Sequence, residues 1–218
     1  MEKLTAQQYP LNLIQMLYPD IANELIERRR HDLEVRERLI TEGKLFRGYN
    51  PEMEAVHLDN ARRLQEIIVQ IGWPAQEQVG EEASEAAWLI VQHAISLPSF
   101  MKSALALLKE QETGRTINPV NLAFLSDRIA LFENRPQSYG TQFVDDEQGR
   151  LMPYQLDGSM GQVNQRRQTL GLNTVEERLV ELTARMNVEQ GEQPTIRERQ
   201  LEQQEYDAWR RKVGWIST

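Results

Sequence analysis

The sequence predicts a mainly α-helical fold. A single helical domain spans residues 1–187 and carries a small β-hairpin near 139–156, and a polar C-terminal helix is appended over 188–218. Three observations lead there. Apolar residues recur at helical spacing along successive stretches as far as Phe132. Proline or a small capping residue stands where those stretches begin. One region alone, Tyr139 to Leu156, abandons helical periodicity for alternation rich in strand formers.

Taken in order, residues 1–18 hold a short apolar patch (Leu11, Leu13, Ile14, Met16, Leu17) expected to dock on the body. Pro19 opens a helix that runs to about Glu42 and stops at Gly43. Charge interrupts its apolar positions Ile21, Leu25, Leu33, Val35, Leu39 and Ile40, so only part of it is buried. Phe46-Arg47-Gly48-Tyr49 follows as a loop with two aromatics. Asn50 then caps a second long helix whose first residue is Pro51. Met53, Val56, Asn60, Leu64, Ile67, Ile68 and Ile71 form one stripe on it, and His57 lies along the edge of that stripe.

Gly72-Trp73-Pro74 reverses the chain, because glycine frees the backbone and proline bars its predecessor from helix. Gly80 caps a third major helix with Glu81 and Glu82 in its first turn, where negative charge complements the exposed amides. Ala83, Ala86, Ala87, Ile90, Ala94 and Leu97 then recur at helical spacing, with His93 at the margin of that face. Pro98 breaks the chain before a helix from Phe100 to Leu108, and Gly114 ends that region. Asn118-Pro119 starts the next helix, with Leu122, Leu125, Ile129 and Phe132 buried and Asp127-Arg128 between them.

Tyr139 to Val144 and Leu151 to Leu156 are the two strands, separated by the polar turn Asp145 to Gly149; Pro153 fits an edge position. Asp157 to Gly161 reads as a flexible loop. Thr174 with Glu177, and Thr195 with Glu198, are capping boxes that open a helix through Met186 and a last helix to about Lys212. Trp209 and Trp215 are the tail's only large anchors, for packing on the body or for a protein partner.

Composition narrows the function classes. Formal net charge is −8, which argues against a protein that tracks nucleic-acid phosphates. Cysteine is absent, which excludes disulfides and thiolate metal sites. No stretch is long and apolar enough for a membrane span, and the N-terminus lacks the pattern of a secretion signal, so a cytoplasmic protein is expected.

The runs GYNPEM, VHLDNA, GWP, VG, AAWLIVQHA, DRI, RPQSYGTQF and RRQTLGL, in that order, resemble a family of uncharacterised bacterial proteins classified as a domain of unknown function. The likeness covers roughly residues 20–185. It implies a compact soluble bacterial domain and brings no reaction with it. Residues matched include His57, Asn60, Trp73, Gln92, His93, Asp127, Arg128, Tyr139 and Gln142, whereas His31 matches no motif.

Two of these define a candidate catalytic pair. If the helices bearing His57 and His93 pack antiparallel through the Gly72-Trp73-Pro74 turn, both imidazoles stand at one height, roughly 20 Å from the connection at about 1.5 Å per residue. Paired imidazoles can share acid and base roles. Arg128 is the candidate anion clamp, and Tyr139 and Gln142 are candidates to orient a ligand. Asn60, one turn beyond His57, and Trp73 complete the substrate-binding set. No metal ligands are assigned and no cofactor is named, although Glu52, Glu82, Glu85 or Asp127 could join the histidines in a His/carboxylate metal site. The function these residues suggest is a hydrolase or acid–base enzyme for a small polar or anionic substrate. The alternative is a non-catalytic binding or adaptor protein in which the same residues form a structural polar network.

Overall fold

Proline sets four of the helix starts in the computed structural model, which describes residues 16–45, 49–111, 117–146, 148–188 and 195–217. Helix α1 (Pro19–Thr41), α2 (Pro51–Ile71), α5 (Pro98–Gln111) and α6 (Pro119–Phe132) each begin on proline, whose missing N–H is no loss in a first turn. Asn50 and Asn118 cap α2 and α6 by accepting first-turn backbone N–H groups. Between α2 and α5 lie a single-turn helix α3 (Gln76–Val79) and α4 (Glu81–His93). Of the apolar patch expected over residues 1–18, residues 1–15 lie outside the described residues, as do the loop residues 46–48, Gly114, and Gly191 with Pro194, whereas Met16 and Leu17 are described and stay largely exposed.

The core forms where α1, α2, α4, α5 and α6 meet. Ala83, Ala86 and Ala87 are fully buried on α4, and their small side chains let α1 approach its backbone closely. Leu25, Leu64, Ile67, Ile90, Met101 and Leu125 fill the space around them. α2 and α4 run antiparallel through the 72–80 connection, in which Gly72 adopts a positive φ of 76°.

After α6 the chain forms the hairpin β1 (Phe143–Asp145) and β2 (Leu151–Pro153), paired antiparallel with Phe143 opposite Pro153. The strands are shorter than the alternating pattern suggests, since the backbone N–H groups of Tyr139 and Thr141 donate to Asp127; a separate bridge joins Gln137 and Leu156. The segment 157–161, expected to be a flexible loop, instead leads into helix α7 (Met160–Thr169), which Ser159 and Gln162 open with a reciprocal capping box. α8 (Val175–Val188) and α9 (Ile196–Val213) follow, each behind its expected capping box. α9 packs back on the body. Trp215 is 5% exposed, sits in the main core and donates Nε1–H to the Ile95 carbonyl at 2.6 Å. No described helix is long and apolar enough to cross a membrane.

Candidate active site

Helix α1 contributes the residue that joins the two histidines. Leu25, Asp32 and Leu39 follow at seven-residue intervals and are all buried, so Asp32 projects from the stripe that packs on α2 and α4. Only 2% of Asp32 is exposed. His57, near the start of α2, and His93, the last residue of α4, meet it there from separate helices. The two rings lie 4.7 Å apart between centroids. His93 Nδ1 stands 3.1 and 3.0 Å from Asp32 Oδ1 and Oδ2, and His57 Nε2 stands 3.2 Å from Oδ2.

Tyr49, in the loop before α2, closes the other side of His57. Its Oη is 2.6 Å from His57 Nδ1 and its ring stacks on the imidazole at 5.8 Å. The two edges of His57 are therefore engaged unequally. Nδ1 has a short hydrogen bond, whereas Nε2 is sealed from solvent and, despite its distance to Asp32, lacks hydrogen-bonding alignment with any acceptor.

Burial opposes charge on Asp32, but the two imidazoles facing it outweigh that and hold its carboxyl well below the usual carboxylate range. Burial likewise pushes His93 below its ordinary value, more than the Asp32 carboxylate pulls it up. His93 is therefore a neutral imidazole beside an ionised carboxylate at neutral pH. Burial pushes the Tyr49 hydroxyl upward, with the Glu54 and Asp32 charges adding to it, so the phenol keeps its proton.

Arg128 approaches from α6. It is half-buried, its Nε is sealed without a hydrogen-bond partner, and it makes no ion pair among the described residues. Its guanidinium lies over the Phe132 ring at 5.8 Å, and it is near enough to bear electrostatically on His93 and Tyr49. Burial lowers its own pKa. A cation with no carboxylate of its own, beside a polar centre, is the arrangement an anionic ligand completes. Helix α9 supplies the wall above. Trp209 meets Tyr49 edge-on at 5.7 Å and Phe132 at 5.8 Å, and Tyr206 stacks on Trp209 at 5.9 Å.

The other predicted residues fall elsewhere. The backbone N–H groups of Ser138, Tyr139 and Thr141 and the Thr141 hydroxyl donate to Asp127, at 2.8–3.2 Å. Gln142 is held at its backbone by the Gln137 side chain, and its own amide donates to Thr141 Oγ1. Neither Tyr139 nor Gln142 hydrogen-bonds a histidine. Asn60 turns toward α1 and accepts from Arg28 at 3.2 Å. Trp73 is 4% exposed and lines a cavity of about 150 Å³ with Glu81, Glu85 and Trp88.

The carboxylates considered as partners for the histidines also have other occupations. Glu52 pairs with Arg38, Glu82 with Arg29, Glu85 receives the Asn121 amide, and Asp127 belongs to its loop. Sequence reasoning missed Asp32 and Tyr49. The signal for Asp32 was a carboxylate at an a-like position of an apolar stripe, where a leucine would be ordinary. For Tyr49 the signal was weaker, an aromatic one residue before a helix cap.

Asp32, His57 and His93 can each offer one donor atom, and those three atoms lie within 4.8 Å of one another, close enough to share a metal ion. The fold and this centre together define a helical domain built around a buried carboxylate clasped by two imidazoles. Residues 19–190 match a family of unknown function (DUF6624), and the chain belongs to that family. No curated protein and no solved structure matches the chain.

Proposed function

We propose that this protein is a hydrolase or related acid–base enzyme that acts on a small anionic substrate at the two-histidine centre. The observation that carries the reading is the juxtaposition of two imidazoles on one buried carboxylate with a guanidinium that has no carboxylate partner. Each half of that arrangement costs stability if it serves packing alone. An ionised group in a dry interior is retained most readily where a ligand or a reaction uses it.

In this reading Asp32, His57 and His93 form the centre at which water or a substrate hydroxyl loses its proton. Asp32 fixes the ring of His93 through Nδ1, and Tyr49 fixes the ring of His57 through its own Nδ1. Arg128 receives the anionic group, and Trp209 with Tyr206 keeps bulk water from that side, which strengthens the charge–charge contact. Tyr139, Gln142, Asn60 and Trp73 are given no part in the chemistry, because their contacts serve the loop, the α1–α2 contact and the core.

Steady-state rates on a panel of nitrophenyl phosphate, sulfate, acetate and succinate esters test this. Turnover of the anionic members, reduced at least about 100-fold in His93→Gln, is the expected result, since acid–base groups are commonly worth that much. Arg128→Met is expected to raise KM for anionic esters and leave the neutral acetate unaffected. The alternative, a non-catalytic protein with the same residues as a structural network, predicts no turnover together with melting temperatures several degrees lower for His57→Gln and His93→Gln.

A further inference from the structure

We infer that Asp32, His57 and His93 form a binding site for one divalent transition-metal ion of the zinc class. The inference rests on the reading of this centre as the seat of activity and deepens it by naming the agent that would activate water there.

Separation is the first argument. Donors about 2.0–2.2 Å from a tetrahedral zinc ion lie about 3.3 Å from one another. Asp32 Oδ2 is 3.2 Å from His57 Nε2 and 3.0 Å from His93 Nδ1. The donors come from three helices, α1, α2 and α4, so packing of the core fixes their spacing rather than a mobile loop.

The second argument is the unsatisfied nitrogen. Tyr49 Oη engages His57 Nδ1, which leaves two possibilities for Nε2 of a neutral ring. If the tyrosine donates, Nε2 carries a proton without an aligned acceptor. If the imidazole donates, Nε2 presents a lone pair to the Asp32 carboxylate. Either state leaves a sealed polar atom uncompensated in the protein alone, a cost that native interiors rarely carry. A cation between Nε2, Nδ1 and the carboxylate removes it in the second state. There the phenol oxygen becomes the outer acceptor that orients a ligating histidine.

Donor chemistry sets the class. Two imidazoles and a carboxylate without thiolate suit zinc, and also iron(II), cobalt(II) or manganese(II). They are too nitrogen-rich for calcium or magnesium. Three protein donors leave positions open for water, and Arg128 is near enough to act electrostatically on His93.

The test is equilibrium dialysis of the full chain against zinc and, separately, cobalt(II), with bound metal measured by elemental analysis and cobalt coordination read from its visible absorption. The expected result is one ion per chain, with binding more than about 100-fold weaker in Asp32→Asn, His57→Gln and His93→Gln. His31→Ala is expected to bind normally, since His31 is exposed on the same helix. Circular dichroism confirms that each variant is folded, and a variant that is not folded is replaced by Asp32→Ser, His57→Asn or His93→Asn. Failure of wild type to bind either ion, or retention of the ion by folded ligand variants, overturns the inference. No binding together with His93-dependent turnover overturns the metal and spares the proposed reaction. One bound ion with no turnover on any ester does the reverse.

Discussion

Two buried carboxylates, Asp32 and Asp127, are each almost fully enclosed, and their surroundings differ in kind. Asp127 sits on α6 and accepts three backbone N–H groups and one hydroxyl, all from residues 138–141. Burial pushes its carboxyl up, while those four donors act against it. Every donor comes from a loop that needs an acceptor, so the contact explains itself as architecture. Among the described residues Asp32 receives no backbone donor from outside its helix. Its partners are two ionisable rings from other helices, one of which has a nitrogen left unsatisfied. A carboxylate that ties down main chain has a structural reason to be buried. One that faces imidazoles from two other helices joins α1 to α2 and α4 through side chains that can also titrate or bind a ligand.

Replacing Asp127 is expected to have the largest effect on stability. Asp127→Ala leaves four donors without their acceptor, for a loss of about 4 kcal/mol in denaturant unfolding, with metal stoichiometry unchanged in the folded fraction. Gly140→Ala probes the same loop. Gly140 has φ +61°, and an added Cβ would stand 2.9 Å from Val175 Cγ2, so about 2 kcal/mol is expected to be lost. Asp32→Asn is expected to cost about 2 kcal/mol, less than Asp127→Ala, because the imidazoles lose the carboxylate they hold ionised while the amide keeps one acceptor. It should nonetheless abolish ion binding. Tyr49→Phe stands last in stability, at about 0.5 kcal/mol, with ion affinity about 10-fold weaker by dialysis. If Asp32→Asn proves more destabilising than Asp127→Ala, the contrast between the two carboxylates collapses.

Much of this was legible in the residues. The convergence of His57 and His93 follows from helix lengths on either side of Gly72-Trp73-Pro74, since rise per residue is constant and the turn fixes antiparallel packing. The capping boxes at Thr174 and Thr195 announced their helices for the same local reason. Asp32 was hidden because charge interrupts the exposed side of α1 as well, and periodicity alone does not separate an inward carboxylate from an outward one. Helix α7 escaped because Val163 is its main core contact, leaving only the Ser159 and Gln162 cap as a signal. The hydrogen bonding of Tyr139 and Gln142 depends on where α6 places Asp127, a long-range fact. The cover that Trp209 and Tyr206 give the centre likewise comes from a tail whose composition is mostly polar.

The most direct test of the central claim is anomalous diffraction from crystals grown with zinc, recorded on both sides of the zinc absorption edge. One strong peak is expected within about 2.2 Å of an Asp32 carboxylate oxygen, His57 Nε2 and His93 Nδ1. A map with no peak between those three side chains, at full zinc occupancy elsewhere or none at all, would contradict it.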